Sequence, residues 1–167
     1  FYKASNLDTK KLDLPHVLME NKMIGCTIIF NRRDLDFLEV LPKSARYHDW
    51  WIAIITSCFG QIGYFNKGTL LYRQHEKNVV GNQSFVAYVK NRLYSLRQQR
   101  KVLIKTQGQA SNFYEIFRDQ LSENEKTIIS KFANLEQENW FLRRYTVIKY
   151  GFFKTGVIRN IGLLLII

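Results

Sequence analysis

Ten consecutive residues, Trp50 through Phe59, carry two hydroxyls and a thiol among otherwise apolar side chains, directly behind the pair His48-Asp49. The length and the absence of turn residues predict a helix over 50–59, apolar nearly all round. Such a helix has to be enclosed by other elements instead of lying along a surface. Asp49 reads as its N-cap and Gly60 as its C-terminal cap. Whatever else the chain does, it must supply a cover for this segment. With 167 residues, 46% of them hydrophobic and 14% aromatic, it has the material for one domain with a real core and a small helical appendage.

The flanking segments read as follows. Residues 1–22 are polar and irregular, with a helical turn expected around His16–Asn21. Ile24-Gly25-Cys26-Thr27-Ile28-Ile29-Phe30 is a short, partly β-branched apolar run of the kind that makes a buried strand. Gly25 is where a backbone can come close to a ligand. A short helix is expected from Asn31 to about Leu41, stopped by Pro42. Ile62–Phe65 and Thr69–Arg73 flank Asn66-Lys67-Gly68 as a β-hairpin. From residue 83 the pattern turns helical: a helix over 83–106 broken at Gly108, a short one around Phe113–Phe117, and one opened by the capping box Ser122…Glu125 and running to about Leu135. The last helix starts at Asn139, with Phe141, Tyr145, Ile148 and Phe152 on one face. The terminal run 161–167 is too short to span a bilayer, which takes ~20 apolar residues. The chain thus divides into an α/β part, 1–82, and a basic amphipathic helical tail, 83–167.

Charge follows that division. Of the net +11, residues 1–82 carry +3 and residues 83–167 carry +8. A basic half beside a nearly balanced half points to chemistry in one and attraction to an anionic partner in the other. Segment 139–167 has five basic residues and no acidic one, a pattern suited to an anionic membrane surface. No nucleic-acid reader motif accompanies the charge, so nucleic acid is not an expected partner. Cys26 and Cys58 lie in apolar runs and read as buried thiols, without the spacing of a zinc site. Phe1 stands where a complete chain would start with Met, and no signal-peptide pattern follows, so the chain reads as a piece of a longer protein.

Three groups of residues could carry chemistry. Asp49, at the start of a helix, is kept ionised and fixed by free N–H groups, which suits a general base or a plain cap. Trp50 and Trp51 offer flat walls of the kind that hold sugar rings. By strand alternation Arg73 and His75 point the same way; an Arg and a His on one face suit a phosphate or a phosphate-bound metal. Asp34-Leu35-Asp36 mimics a metal-binding D-x-D but falls in the first turn of an expected helix, where acids are commonplace.

The series Gly25–Arg32, His48-Asp49-Trp50-Trp51, Gly60–Tyr64 and Tyr72-Arg73-Gln74-His75 with Asn78 and Gly81 resembles bacterial family-two glycosyltransferases, most of all the rhamnosyltransferase type. The match covers about residues 20–82. The resemblance implies the acceptor-side half of a GT-A fold with a helical tail, the donor and metal half lying upstream. It also implies inverting transfer from a nucleotide-sugar donor to a saccharide or lipid-linked acceptor in surface polysaccharide synthesis, with a divalent metal, Mn²⁺ or Mg²⁺. Asp49 would be the catalytic base. Arg73 and His75 would sit on the donor diphosphate and its metal, with His75 as a metal ligand. Trp50, Trp51 and Gly25 would line the acceptor site. His48 departs from the family's acidic residue at that position. A cytoplasmic location, peripheral on the inner face of the cell membrane, goes with this reading. A non-catalytic basic helical module binding an anionic membrane surface or nucleic acid is the alternative.

Overall fold

The structure, a computed structural model, describes residues 7–32, 35–38, 41–68, 70–71 and 96–167. Among these residues the regular elements are helices: α1 Leu14–Met19, α2 Leu35–Leu38, α3 His48–Phe59, α4 Leu96–Phe117, α5 Glu123–Ala133, α6 Trp140–Tyr150 and α7 Val157–Ile166, with 3₁₀ turns at Gly25–Thr27 and Leu135–Gln137. No described residue is in a strand. The expected α/β architecture, and with it half of a GT-A fold, is therefore overturned.

The run 24–30 shows why. A strand needs a partner to take up its N–H and C=O groups, and among the described residues no strand stands beside it. The segment turns at Gly25–Thr27, the Gly25 N–H goes to the Asp49 carboxylate at 3.1 Å, and Ile29 is fully in solvent. The described part of the expected hairpin, 61–68 and 70–71, is extended or bent and exposed, with Leu71 uncovered. Thr69, Arg73 and the loop beyond lie outside the described residues, as do Arg33-Asp34 and residues 39–40 of the expected helix 31–41.

The apolar helix forms as expected and is enclosed. Trp50, Trp51, Ala53, Ile54 and Ile55 of α3 are buried. The hydroxyls of Thr56 and Ser57 satisfy themselves on the carbonyls of Ile52 and Ile54, 2.9 Å in each case, so their burial leaves no orphan donor. The helix starts two residues earlier than expected, with Tyr47 at the cap, which places Asp49 inside the first turn. Gly60 closes it by donating to the Thr56 carbonyl at 3.0 Å in extended backbone.

The cover comes from α1 on one side and α4 on the other. α1 is started by Asp13, whose carboxylate accepts from the His16 N–H, and by Pro15 in its first turn; it contributes Leu14, Val17, Leu18 and Met19 to the core. α4 contributes Leu103, Ala110, Phe113 and Phe117. Trp51 meets Phe113 edge-on at 5.3 Å, and Phe37 of α2 stacks on Phe59 at 4.5 Å. Behind α4 pack α5 and, through Leu163 and Ile167, α7 and its end. One hydrophobic core thus runs from Leu14 to Ile167.

Two helical expectations fail instructively. α4 runs unbroken through Gly108, because Thr106, Gln107, Gln109 and Ala110 beside it are buried and tertiary burial outweighs the weak propensity of one glycine. The last helix is two. α6, capped by the Asn139 side chain on Leu142 N–H at 3.0 Å, ends at Gly151 in the left-handed conformation (φ 74°), and α7 follows after a bend. Phe152 is buried beyond the break, whereas Phe141, Tyr145 and Ile148 are exposed. The capping box forms as expected: Ser122 and Glu125 each accept from the other's N–H, at 3.3 and 2.8 Å.

Gly108 is exposed, and a Cβ built on it meets nothing within 4 Å. Gly108→Ala should therefore stabilise the protein by about 0.5–1 kcal/mol, read from the urea midpoint at unchanged slope.

Candidate functional site

The site is built where the α1–α3 loop meets the first turn of α3. Asp49 accepts three N–H groups there: Asn21 Nδ2 at 3.0 Å and Trp50 N at 2.7 Å on Oδ1, and Gly25 N at 3.1 Å on Oδ2. Asn21 in turn accepts the Met23 N–H at 2.9 Å through Oδ1. The carboxylate thus ties residues 21–25 to the start of the helix, where the dipole favours its charge. It stays half-buried, not sealed. Two oxygens hold about four lone-pair positions, so three accepted bonds leave room for a further proton donor.

His48 is exposed and its ring lies over Gly25: a Cβ at residue 25 would sit 2.5 Å from Nε2. The close approach at Gly25 is thus made by a side chain of this chain, and the exposed His48 ring would have to shift to admit a Cβ there. Trp50 is nearly enclosed and donates from Nε1 to the Val17 carbonyl at 2.6 Å. Trp51 has no exposed surface and packs on Phe113 and Phe117. As walls of an acceptor site the tryptophans are corrected: Trp51 is core, and Trp50 shows only its edge. That edge faces a cavity of about 150 Å³ also lined by Met19, Glu20, Asn21, Arg46, Leu103, Thr106 and Lys154.

Arg46 is the residue the sequence reading missed. Its N–H bonds Gln109 Oε1 and its guanidinium bonds Thr106 Oγ1, both at 2.7 Å, and it lies over the rings of Trp50 at 5.1 Å and Tyr47 at 5.7 Å. Burial pushes its pKa below the usual guanidinium value. Its position three residues before Asp49 was the available signal. Asn21 gave none, being one polar residue in an irregular stretch.

Arg73 and His75 lie outside the described residues, and so does Asp34; Asp36 is exposed. Among the described residues no group of three or more His, Cys, Asp or Glu could hold a metal ion. The residues described do not by themselves fit the expected Mn²⁺ or Mg²⁺. Of the two thiols, Cys58 is largely buried and its pKa is pushed far up by desolvation, while Cys26 is exposed, correcting the expectation that both are buried. Comparison with protein-family models, with curated proteins and with solved structures finds no match to this chain.

Asn21→Ala removes a charge-assisted bond to Asp49 and the acceptor for Met23 N–H together. The expected cost is about 1.5–3 kcal/mol in urea unfolding, with hydrogen exchange of the Met23 and Gly25 amides faster than in the parent. Unchanged exchange at Gly25 would show that Asp49 holds the loop without Asn21.

Proposed function

We propose that this chain takes part in transferring a sugar from a nucleotide-sugar donor to a saccharide or lipid-linked acceptor, with Asp49 as the general base. The observation that carries the reading is the state of Asp49: a half-buried carboxylate oriented by N–H donors on both oxygens, at the start of a helix. A base for a hydroxyl needs that fixed orientation and a remaining lone pair. The resemblance of the His48-Asp49-Trp50-Trp51 and Tyr72–His75 segments to family-two glycosyltransferases supports the same assignment.

In the proposed step the acceptor hydroxyl gives its proton to Asp49 as its oxygen bonds the anomeric carbon. The bond from that carbon to the donor diphosphate breaks on the opposite face, and the electron pair leaves with the nucleoside diphosphate. Arg73 is assigned to offsetting the charge on that leaving group. No step is routed through a metal ion. Because nucleotide sugars are the donor, the reaction is placed on the cytoplasmic side of a cell membrane.

A second role, docking on an anionic membrane surface, is supported by the faces that α6 and α7 leave uncovered. On α6, Trp140, Phe141, Tyr145 and Ile148 are 57–78% exposed; on α7, Val157, Ile158, Ile161 and Leu165 are 52–75% exposed. Apolar side chains of this size turned to water call for a cover, and Trp and Tyr suit an interface between apolar and wet surroundings. Arg144 and Lys149 stand among them, over the rings of Trp140 and Tyr145, whereas Arg143 and Arg159 are paired with Glu136 and Glu20. Among the described residues no helix is long and apolar enough to cross a membrane, so the proposed association is peripheral.

In the full-length protein, Asp49→Asn should lower sugar transfer, read as nucleoside diphosphate release with acceptor present, by about 10²–10⁴-fold while donor affinity stays within a factor of about two. Equal loss of transfer and donor binding would remove the base assignment. On vesicles, the parent should co-sediment with anionic lipid and release as salt rises. Trp140→Ala with Phe141→Ala should bind less at every salt concentration; salt-independent binding would argue for a purely apolar contact.

A further inference from the structure

The cavity beside Trp50 has a charge character that the sugar-transfer reading does not use. Its lining includes the side chains Arg46, Lys154 and Glu20. Both oxygens of Glu20 are already engaged: Oε2 accepts from Thr155 N–H at 2.8 Å, and Oε1 pairs with Arg159 at 3.3 Å. Among the described residues the charged members of the lining are thus Arg46, Lys154 and a Glu20 already paired with Arg159. Asp49 lies on the far side of Asn21 and is held by its own three donors.

Arg46 is the unusual member. Its partners among the described residues are the hydroxyls of Thr106 and Tyr47, the Gln109 amide oxygen reached by its backbone, and two aromatic faces. All of these are neutral, and among the described residues no carboxylate pairs with it. A half-buried guanidinium without a counter-charge is costly to keep, and its fork matches the oxygens of a phosphoryl group. The volume of about 150 Å³ corresponds to roughly five waters at about 30 Å³ each, enough for one tetrahedral oxyanion and its shell. Apolar walls from Met19, Leu103 and Trp50 lower the local dielectric and strengthen attraction to an anion.

We propose that the cavity between α1, α3, α4 and Lys154 is a phosphoryl-binding site, with Arg46 as its principal ligand and Lys154 as the second. The inference stands on this geometry alone and does not require Asp49 to be a base. The phosphoryl group could arrive free in solution or as the headgroup of a lipid, and the two sources are separable by experiment.

The full chain is titrated by calorimetry with inorganic phosphate and with pyrophosphate, in buffer free of other oxyanions. It is also tested on vesicles of phosphatidylcholine with and without phosphatidic acid. Saturable phosphate binding is expected, with a rise in Tm on addition of ligand. Arg46→Gln and Lys154→Gln should each weaken it about tenfold or more, and Arg118→Gln, exposed just beyond the end of α4, should leave it unchanged. If Arg46→Gln loses its helical circular dichroism, Lys154→Gln decides. Release from phosphatidic acid vesicles by free phosphate, lost in Lys154→Gln, identifies a lipid source; binding of free phosphate without vesicle competition identifies a soluble one. No saturable binding by the parent, or equal weakening by Arg118→Gln, overturns the site in favour of diffuse surface charge.

Discussion

Everything in this molecule depends on the contact of Trp51 with Phe113 and Phe117. An indole with no exposed surface, set edge-on to one ring and tilted against the next, fixes α3 against α4 in both rotation and height. Such ring pairs add about 0.5–1.5 kcal/mol each beyond the area they bury. The same contact decides where the polar residues around α3 can go. With Trp51, Ile54 and Ile55 facing inward, Asp49 and His48 at the start of the helix are turned toward the α1–α3 loop, and Arg46 is turned toward Thr106 of α4.

The site is therefore a product of the core. Asn21 connects its two halves, since it donates to Asp49 and also lines the cavity that holds Arg46. A carboxylate with three donors and a guanidinium with neutral partners stand on opposite sides of one amide. The first is stabilised by hydrogen bonds and the helix start. The second is left for something outside the described chain to offset. α6 and α7 show the reverse pattern of charge: Arg143 and Arg159 are held in structural pairs, and apolar residues remain exposed.

Local signals in the sequence read true wherever the interaction is itself local. The enclosed helix at α3, the capping box at Ser122 and Glu125 and the cap at Asn139 all depend on residues within four positions of one another. Ile24–Phe30 failed because β-branched composition shows what a segment tolerates, and a strand also requires a neighbour. Gly108 failed because its propensity cost is smaller than the burial around it. Periodicity found the apolar stripe of Phe141, Tyr145 and Ile148 but carries no information about whether a stripe is covered. The same ambiguity misplaced Trp51, whose flat ring serves a sugar or a core equally well. Arg46 and Asn21 act through partners 60 and 28 residues away, beyond the reach of any local pattern.

The pairing of Glu20 with Arg159, and of Asp8 with Thr155, spans 139 and 147 residues of chain. The turn between α4 and α5, by contrast, is a matter of about five residues. Closing the longer loop costs roughly 3 kcal/mol more in chain entropy. The α4–α5 hairpin is thus the cheaper contact to close and the seal between α1 and α7 the costlier one. Lys154, one residue before Thr155, adjoins that seal, so the cavity beside Trp50 is walled by chain segments more than 100 residues apart.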